Sequence, residues 1–345
     1  MAQRIRILLI DDSAFVRKIV REILSDQPGL EVVGVARDGA EALELTASLK
    51  PDVAICDLRM PNLDGVGFVR RQMQIRPLPI LILSAAAQDA DEVLDALNAG
   101  AIDVVKKPSA LATDDLRLVR DELVARITAI AGAGLGSLVP KVPTAAPAAP
   151  TRVYEGRVNI VLIGISTGGP QALRYLVPQF PADFPVPIAM VLHMPVGYTA
   201  LYAEKLNELS PLEVKEAQDG DVLQPGRVLL AQAGRHLNFQ REGNGTVTAR
   251  LTMQPFEKIH RPSVDVMFRT AAEIYRQGVL GVVMTGMGDD GKEGAAWIKA
   301  QGGTVLTEAE KSCVIYGMPR SVAEAGLSDA AIPLDEMAQA IISRL

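Results

Sequence analysis

The sequence is poor in the residues from which disulfide frameworks and protein metal sites are built. Of its 345 residues only two are cysteines, Cys56 and Cys313, and three are histidines, His193, His236 and His260. Two cysteines cannot form a disulfide framework, and these two are not spaced as a metal-binding pair. Three scattered histidines argue against a histidine-built metal centre.

Long apolar runs and an excess of positive charge are also absent. The chain has 35 Lys and Arg against 41 Asp and Glu, a formal net charge of −6, which argues against non-specific binding to nucleic acid or anionic membranes. No apolar run approaches the ~20 residues that span a bilayer. The run Ile7–Ile10 is too short for a signal-peptide core and leads directly into two aspartates. We therefore expect a cytoplasmic protein that is not inserted in a membrane and does not bind nucleic acid.

A segment rich in proline, alanine and glycine divides the chain. Between residues 131 and 151 there are four prolines, three glycines and a single charged residue, Lys141, without apolar periodicity. Such a composition is typical of a semi-extended linker. We expect one domain at residues 1–130, the linker at 131–155 and a second domain at 156–345.

Strand-like and helix-like segments alternate in the first domain. Its five apolar runs are Ile5–Ile10, Val32–Val35, Val53–Cys56, Ile80–Leu83 and Ile102–Val105. Five βα repeats predict a flavodoxin-like, five-stranded parallel sheet with helices on both faces. Ligands bind such sheets at the carboxyl ends of the strands.

Polar residues follow four of these strands, at the edge where ligands bind. They are Asp11 and Asp12 after the first strand, Asp57 after the third, Ser84 after the fourth and Lys107 after the fifth. Close carboxylates repel one another unless a cation lies among them, and Mg²⁺ is a hard ion that carboxylates hold. Asp57 is then the candidate acceptor of a phosphoryl group, with Lys107 to balance its charge and Ser84 to donate a hydrogen bond. Taken singly, each residue also fits a helix cap or a turn.

The second domain resumes the alternation. Strand-like runs occur at Ile160–Ile163, Ile188–Leu192, Leu280–Met284 and Thr304–Leu306. They are interrupted at Val222–Leu251, where short strands and turn residues predict an antiparallel hairpin. The pattern predicts a doubly wound α/β domain with an inserted hairpin.

One serine stands in a glycine-bounded turn between the first of these strands and a helix. The stretch Gly164–Pro170 reads GISTGGP, and Pro170 suits the first turn of the helix that follows. Such a turn presents the hydroxyl of Ser166 at the carboxyl end of a strand, where backbone N–H groups are free for an oxyanion. On this stretch alone a phosphate-binding loop is an equal alternative.

A base and an acid for this serine follow two other strands. His193 ends the run Ile188–Leu192, and Asp289 and Asp290 lie in the turn after Leu280–Met284. A histidine can take the serine proton, and a carboxylate can orient the histidine. The order Ser, His, Asp differs from the Ser, acid, His order of common α/β-hydrolases. His236 and His260 are the competing histidines, the first more typical of a structural role and the second placed to line a cleft.

Four motifs of the first domain resemble the receiver domains of two-component response regulators. They are LLIDDS, DLRMPNLDG, LILSA and GAIDVVKKP. The resemblance implies phosphorylation at Asp57, Mg²⁺ ligation by Asp12, Asp57 and the Arg59 carbonyl with support from Asp11, and phosphoryl sensing by Ser84 and Lys107. Receivers usually carry an aromatic residue three positions before the lysine, where this chain has Val104.

Six motifs of the second domain resemble the chemotaxis protein-glutamate methylesterase family, CheB. They are IGISTGGPQAL, LHMPVGYTALYAEKLN, VKEAQDGDVLQPG, RPSVDVMF, MTGMGDDGKEG and YGMPR. The resemblance implies Ser166, His193 and Asp290 as the catalytic triad, with Asp289 at a variable position. Backbone N–H groups around Thr167 and Met287 are the candidates for oxyanion stabilisation.

The resemblance also implies a substrate, a partner and a form of control. The substrates are glutamate γ-methyl esters and glutamines on the cytoplasmic helices of chemoreceptors, and the esterase domain needs no cofactor. Histidine kinase CheA is the expected phosphodonor, and phosphorylation of Asp57 is expected to open access to Ser166 in chemotaxis adaptation. Two other functions fit the same motifs, a receiver-gated esterase for a protein outside chemotaxis and a receiver-controlled binding protein with a degenerate esterase domain.

Overall fold

The computed structural model of the chain describes residues 4–84, 89–107, 113–131, 158–258 and 260–345. The chain divides into two compact units, Met1–Val139 and Pro140–Leu345. Residues 132–155 of the predicted linker lie outside the described residues, and Ala131 is the last residue of a helix. No described helix is long and apolar enough to cross a membrane.

The first unit contains a five-stranded parallel sheet, as its repeats predict. Its strands are β1 (Ile5–Ile10), β2 (Leu30–Ala36), β3 (Val53–Asp57), β4 (Ile80–Ser84) and β5 (Asp103–Lys106). Its helices are α1 (Ala14–Ser25), α2 (Gly39–Leu49), α3 (Gly65–Ile75), α4 (Ala90–Ala99) and α5 (Thr113–Ala131). The strand order β2-β1-β3-β4-β5 is flavodoxin-like and confirms the predicted fold.

Local side chains determine where three of these helices begin. Ser13, Asp38 and Asp64 stand just before α1, α2 and α3, and each accepts a backbone N–H of the first helical turn. A side-chain oxygen at this position satisfies a donor that has no partner within the helix. The central strands β3 and β4 are buried along their whole length, as expected for a parallel sheet covered on both faces.

The second unit contains a seven-stranded parallel sheet and an antiparallel pair. Its strands are β6 (Ile160–Ile165), β7 (Ile188–Leu192), β8 (Glu213–Glu216), β9 (Arg227–Leu230), β10 (His236–Arg241), β11 (Val247–Thr252), β12 (Val279–Val283), β13 (Thr304–Glu308) and β14 (Ala330–Ile332). Its helices are α6 (Gly169–Leu176), α7 (Thr199–Leu209), α8 (Val264–Tyr275), α9 (Lys292–Ala300), α10 (Met318–Glu324) and α11 (Leu334–Ile342). The sheet order is β14-β13-β12-β6-β7-β9-β8, and β10 pairs with β11.

The predicted hairpin is confirmed, and the same region also contributes a strand to the parallel sheet. Strands β10 and β11 pair antiparallel, whereas β9, which lies in the same interruption, joins the parallel sheet beside β7. Short apolar strands have the same appearance in either sheet, so the sequence pattern does not distinguish their partners. For the same reason β8 and β14, at the two sheet edges, were not predicted.

Helix α8 connects the hairpin to the site. It packs against α9 and β10, and its apolar face joins the buried cluster through Val264, Met267 and Phe268. A Cβ atom at Gly164 would lie 2.3 Å from a Val264 methyl carbon, so the start of α8 closely approaches β6. This approach brings the first turn of α8 to the edge of the sheet where Ser166 lies.

Candidate functional site

The serine turn follows β6 directly and is shaped by glycine. Ser166 is buried, and Gly168 has φ of 80°, a backbone conformation that a residue with a side chain rarely adopts. The Gly169 N–H donates to the Ser166 carbonyl oxygen at 2.7 Å, and α6 starts with Pro170 in its first turn. The chain therefore makes the sharp strand-to-helix turn that the sequence predicts.

Thr285, at the end of β12, holds this turn through several hydrogen bonds. Its carbonyl oxygen accepts the Ser166 N–H at 3.0 Å, and its hydroxyl donates to the Thr167 carbonyl oxygen at 3.0 Å. A Cβ atom on Gly286 would lie 2.7 Å from the Ser166 Cβ, so only glycine permits this approach. Ser166 is thus positioned by the neighbouring strand as well as by its own.

His193 lies beside Ser166 at the carboxyl edge of the sheet. Ile165 and Leu192 are paired across β6 and β7, and the His193 N–H donates to the Ile165 carbonyl oxygen at 3.1 Å. Ser166 and His193 each follow one member of that pair, on strands about 4.8 Å apart. The His193 Nδ1 atom is buried and has no hydrogen-bond partner in the described part of the chain.

Asp290 contacts Nε2, the other nitrogen of the His193 ring. Its Oδ2 lies 2.9 Å from His193 Nε2 and accepts the Val264 N–H at 2.7 Å, while its Oδ1 accepts from Ser263 Oγ at 2.8 Å and from the Asp265 N–H at 3.0 Å. Burial alone raises the pKa of this carboxyl, but the hydrogen bonds and the charge of His193 outweigh it and lower the pKa. The carboxylate also lies at the amino end of α8, where the helix dipole favours negative charge.

Asp265 and Lys258 support Asp290 and were not predicted. Asp265 Oδ1 accepts the N–H groups of Gly291 and Gly294 at 2.9 and 2.8 Å, and its Oδ2 lies 2.9 Å from Lys258 Nζ. Burial and then the charge of Asp290 raise the pKa of Asp265, while Lys258 opposes that rise. The only sequence signal for Asp265 is its position in the motif RPSVDVMF.

The remaining candidate residues, Asp289, His260 and His236, differ in burial and in the groups that they contact. Asp289 is exposed and lies 3.7 Å from Lys292, so Asp290 alone of the two faces His193. His260 is exposed and stacks on the His193 ring with centroids 4.3 Å apart, whereas His236 is buried with its Nε2 3.1 Å from the Pro255 carbonyl oxygen. Burial lowers the pKa of His236, in keeping with a neutral structural ring.

The two oxyanion candidates belong to two different turns, one after β6 and one after β12. Thr167 follows Ser166 directly and is buried, and Met287 follows Gly286, the residue against which the Ser166 side chain packs. The two turns contact each other where Gly286 approaches Ser166. Their role as donors stays a prediction.

The first unit gathers the predicted acidic cluster at the carboxyl edge of its sheet. Carboxylate oxygens of Asp11, Asp12 and Asp57 lie within 4.8 Å of one another. Lys107 Nζ lies 3.0 Å from Asp11 Oδ2 and 2.6 Å from Asp57 Oδ2. Burial raises the pKa of Asp57, and the Lys107 ammonium opposes that rise.

This donor set fits Mg²⁺. The three carboxylates supply hard oxygen ligands within the reach of one small ion. Asp11 Oδ2 is buried, and the Lys107 ammonium is its one partner of opposite charge among the described residues. The oxygen therefore retains capacity for a cation. One lysine shared by two buried carboxylates leaves negative charge that a divalent ion balances.

Ser84 and Arg59 contact a residue that was not predicted, Asp89. The Ser84 hydroxyl donates to Asp89 Oδ2 at 2.9 Å, and the Arg59 side chain pairs with Asp89 at 3.0 Å and with Glu92 at 2.9 Å. Val104, three residues before Lys107, is buried in β5. The role of the Arg59 carbonyl as a metal ligand stays a prediction.

Comparison with known proteins matches both units. A family model described as CheB methylesterase covers residues 161–341, and one described as response regulator receiver domain covers residues 7–118. Protein-glutamate methylesterase/protein-glutamine glutaminase 5 of Myxococcus xanthus is 49% identical over 96% of each chain. Protein-glutamate methylesterase/protein-glutamine glutaminase 2 of Methanosarcina mazei is 40% identical over 98% of this chain and 95% of its own. The crystal structure of the Thermotoga maritima CheB methylesterase catalytic domain is 41% identical, with a TM-score of 0.53, over 55% of this chain and 100% of that one.

Proposed function

The chain belongs to the CheB methylesterase family, and we propose that it is a protein-glutamate methylesterase and protein-glutamine glutaminase controlled by phosphorylation in chemotaxis adaptation. The observation that carries the proposed chemistry is the contact between His193 and Asp290, at the sheet edge where Ser166 lies. A serine, a histidine and a carboxylate in this arrangement can perform acyl transfer.

In the first half of the reaction Ser166 forms an acyl-enzyme. Its Oγ attacks the γ-ester carbonyl carbon while its proton passes to His193, and the carbonyl electron pair moves to oxygen. When the carbonyl re-forms, the bond to the methoxy group breaks. His193 returns the proton to that oxygen, so methanol leaves and the glutamyl group remains on Ser166.

Water completes the cycle by the same route. His193 takes a proton from water, the hydroxyl attacks the acyl carbon, and the proton returns to Ser166 Oγ as the glutamate carboxyl is released. A glutamine side chain passes through the same steps with ammonia as the leaving group. One arrangement of groups therefore serves both deesterification and deamidation.

The contact between Nε2 and Asp290 assigns the two nitrogens of His193. Nε2–H donates to Asp290 Oδ2, so Nδ1, which has no hydrogen-bond partner within the described residues, is the nitrogen left to act as the base. Asp290 holds this tautomer and stabilises the imidazolium that forms. We assign the backbone N–H groups of Thr167 and Met287 to the oxyanion, an interaction worth about 10²–10³-fold per donor.

Asp57 is the proposed phosphorylation site, with CheA as the phosphodonor. Its Oδ2 now lies 2.6 Å from Lys107 Nζ, and the same ammonium can balance the charge of a phosphoryl group. Asp12, Asp57 and the Arg59 carbonyl, with support from Asp11, would hold Mg²⁺, which when bound would neutralise phosphoryl oxygens. Ser84 is placed to exchange its hydrogen bond to Asp89 for one to the phosphoryl group.

The substrates are methylated glutamates and glutamines on the cytoplasmic helices of chemoreceptors, which places the enzyme in the cytoplasm. The receiver domain corresponds to residues 1–130, the linker to 131–155 and the catalytic domain to 156–345. The deciding experiment incubates the full-length protein with methyl-labelled chemoreceptor membranes and measures released methanol with and without an acyl phosphate. Absence of methanol from every receptor of the source cell would refute the assignment.

Asp57→Asn is expected to abolish the stimulation of methanol release by a small acyl phosphate. The amide cannot accept the phosphoryl group, so the phosphorylation signal is lost, whereas we expect at least about tenfold stimulation in the wild type, equal to about 1.4 kcal/mol. Asp26→Asn, at an exposed carboxylate beyond the end of α1, is the matched control. Stimulation retained by Asp57→Asn would place the phosphorylation site elsewhere.

Asp12→Asn is expected to weaken Mg²⁺ binding by at least about tenfold, because it replaces one of three clustered carboxylates with a neutral amide. Titration calorimetry with MgCl₂ measures this affinity directly, without phosphorylation. Asp26→Asn again serves as the control for the loss of one negative charge. Equal affinities for wild type and Asp12→Asn would remove Asp12 from the ligand set.

A further inference from the structure

Glu308, the last residue of β13, is a buried carboxyl group that the proposed mechanism does not use. Its exposed fraction is 0%, and it accepts two hydrogen bonds, from the Thr285 N–H to Oε2 at 2.9 Å and from Ser312 Oγ to Oε1 at 2.9 Å. Among the described residues it takes part in no salt bridge. A carboxylate buried without a cation is costly to ionise.

Ser312 links Glu308 to the loop that follows β13 and to the start of α11. Ser312 Oγ lies within hydrogen-bond distance of Glu308 Oε1 and, at 3.1 Å, of the Ala309 carbonyl oxygen, and it accepts the Leu334 N–H at 3.1 Å. The Ala309 carbonyl oxygen also accepts the N–H groups of Ser312 and Cys313, so the Ser312 proton is available to an ionised Glu308. A protonated Glu308 can instead donate from Oε1 to Ser312 Oγ, so the contact is kept in both protonation states and burial decides between them.

The charged and titratable groups near Glu308 do not supply a compensating cation. On the elements packed against β13 and in the segments that flank them, these groups are Lys292, Glu293, Lys299, Glu310, Lys311, Cys313, Tyr316, Arg320, Glu324, Asp329, Asp335 and Glu336. Lys292 pairs with Asp289, and Lys299 pairs with Asp329. Arg320 pairs with Glu310 at 3.6 Å, and Cys313 is buried with its own pKa raised by burial and by Glu308. Beyond Thr285, Asp290 is paired with His193. Burial raises the pKa of Glu308 to about 7, although the Thr285 and Ser312 donors oppose the rise.

Glu308 is connected to the nucleophile through a single residue. Thr285 donates its N–H to Glu308, accepts the Ser166 N–H on its carbonyl oxygen and donates its hydroxyl to the Thr167 carbonyl oxygen. A change of charge at Glu308 therefore acts on the residue that holds the serine turn. The same turn region carries the proposed oxyanion donors.

We propose that Glu308 is a positioning residue of the esterase that works in its protonated form, and that its ionisation slows the attack of Ser166. This inference rests on the proposed function of Ser166 as the nucleophile. Ionisation places a negative charge behind Thr285, which opposes the negative charge that develops on the ester oxygen.

The direction of the pH effect follows from the ionisation of Glu308. As pH rises through neutral, Glu308 loses its proton and the reactivity of Ser166 declines. A unit charge about 10 Å away at an effective dielectric of about 20 changes a rate about tenfold, and this is the decline expected on the alkaline side. The wild type should therefore lose reactivity above neutral pH, and a variant without the carboxyl should not.

Glu308→Gln in the full-length protein tests this inference. The amide oxygen can accept from Thr285 and the amide N–H can donate to Ser312, so the protonated arrangement is preserved without an ionisable group. The readout is the rate at which a small fluorophosphonate labels Ser166 across the pH range, followed by intact mass. Glu310→Gln, at an exposed carboxylate two residues away, is the matched control and should keep the wild-type profile.

The expected result is a decline of labelling above neutral pH in the wild type and in Glu310→Gln, and its loss in Glu308→Gln. A decline that persists in Glu308→Gln, or is absent from the wild type, overturns the proposal. Ser312→Ala is the second variant. It removes a donor to the ionised carboxylate, so the decline should move to higher pH, and an unmoved decline would also overturn the proposal. Methanol release from receptors, measured in parallel, tests the substrate assignment separately, because labelling needs no receptor.

Discussion

Ser166→Ala is expected to reduce methanol release from methylated chemoreceptors by about 10⁴–10⁶-fold. Without Oγ no acyl-enzyme can form, and direct attack by water retains only the help of substrate binding and oxyanion donors. The turn itself should persist, because its hydrogen bonds to Thr285 use the Ser166 backbone N–H and not the side chain. The measurement is the initial rate at saturating receptor for wild type and variant.

The matched control for this substitution is Ser343→Ala. Ser343 is exposed after α11, and its hydroxyl donates only to the Ala340 carbonyl oxygen within the described residues. Its removal should leave the rate within about twofold of the wild type, as for most surface substitutions. A Ser166→Ala protein that retained a tenth or more of the wild-type rate would contradict a serine nucleophile and favour a binding role for the domain.

Asp290→Asn is expected to lower kcat by about 10⁴-fold with a much smaller change in KM. The carboxylate accepts four hydrogen bonds, two on each oxygen, and an amide offers an oxygen at one position and an NH₂ group at the other. If the NH₂ group faces Nε2, His193 must present a lone pair there and carry its proton on Nδ1. Nδ1 then cannot take the proton of Ser166.

The same substitution should also reduce the stability of the second domain. An NH₂ group placed against backbone donors leaves buried groups unpaired, at about 1–3 kcal/mol. Calorimetry measures this loss independently of activity. Asp289→Asn, at the adjacent exposed carboxylate, is the control and should change neither kcat nor the unfolding temperature. A kcat for Asp290→Asn within tenfold of the wild type would exclude Asp290 as the orienting acid.

The sequence pattern predicts most of the strands but not all of their partners in the sheets. The five strands of the first unit and four of the second were predicted because each is an apolar run followed by polar residues. The pattern does not separate β9 from the predicted hairpin and does not identify β8 or β14, since three or four residues carry too little periodicity to identify a sheet. The hairpin of β10 and β11 was predicted because its turn residues are local.

The supporting residues were harder to predict than the residues that react. Asp265, Asp89 and Glu308 form hydrogen bonds to groups that lie between 5 and 26 residues away in the sequence. An isolated acid of this kind resembles any surface carboxylate in the sequence. Its meaning depends on burial, which is a property of the folded chain.

The order of residues along the chain was sufficient to place Ser166, His193 and Asp57 at strand ends, because parallel strands bring their carboxyl ends to one edge whatever lies between them. Folding alone decides which atoms meet there. It turns Asp290 and not Asp289 toward His193, sets His193 Nε2 against that acid, and buries Glu308 behind Thr285 with no salt bridge to any described residue. These outcomes depend on distances of a few ångströms and on exclusion of water, which arise only when segments distant in sequence pack together.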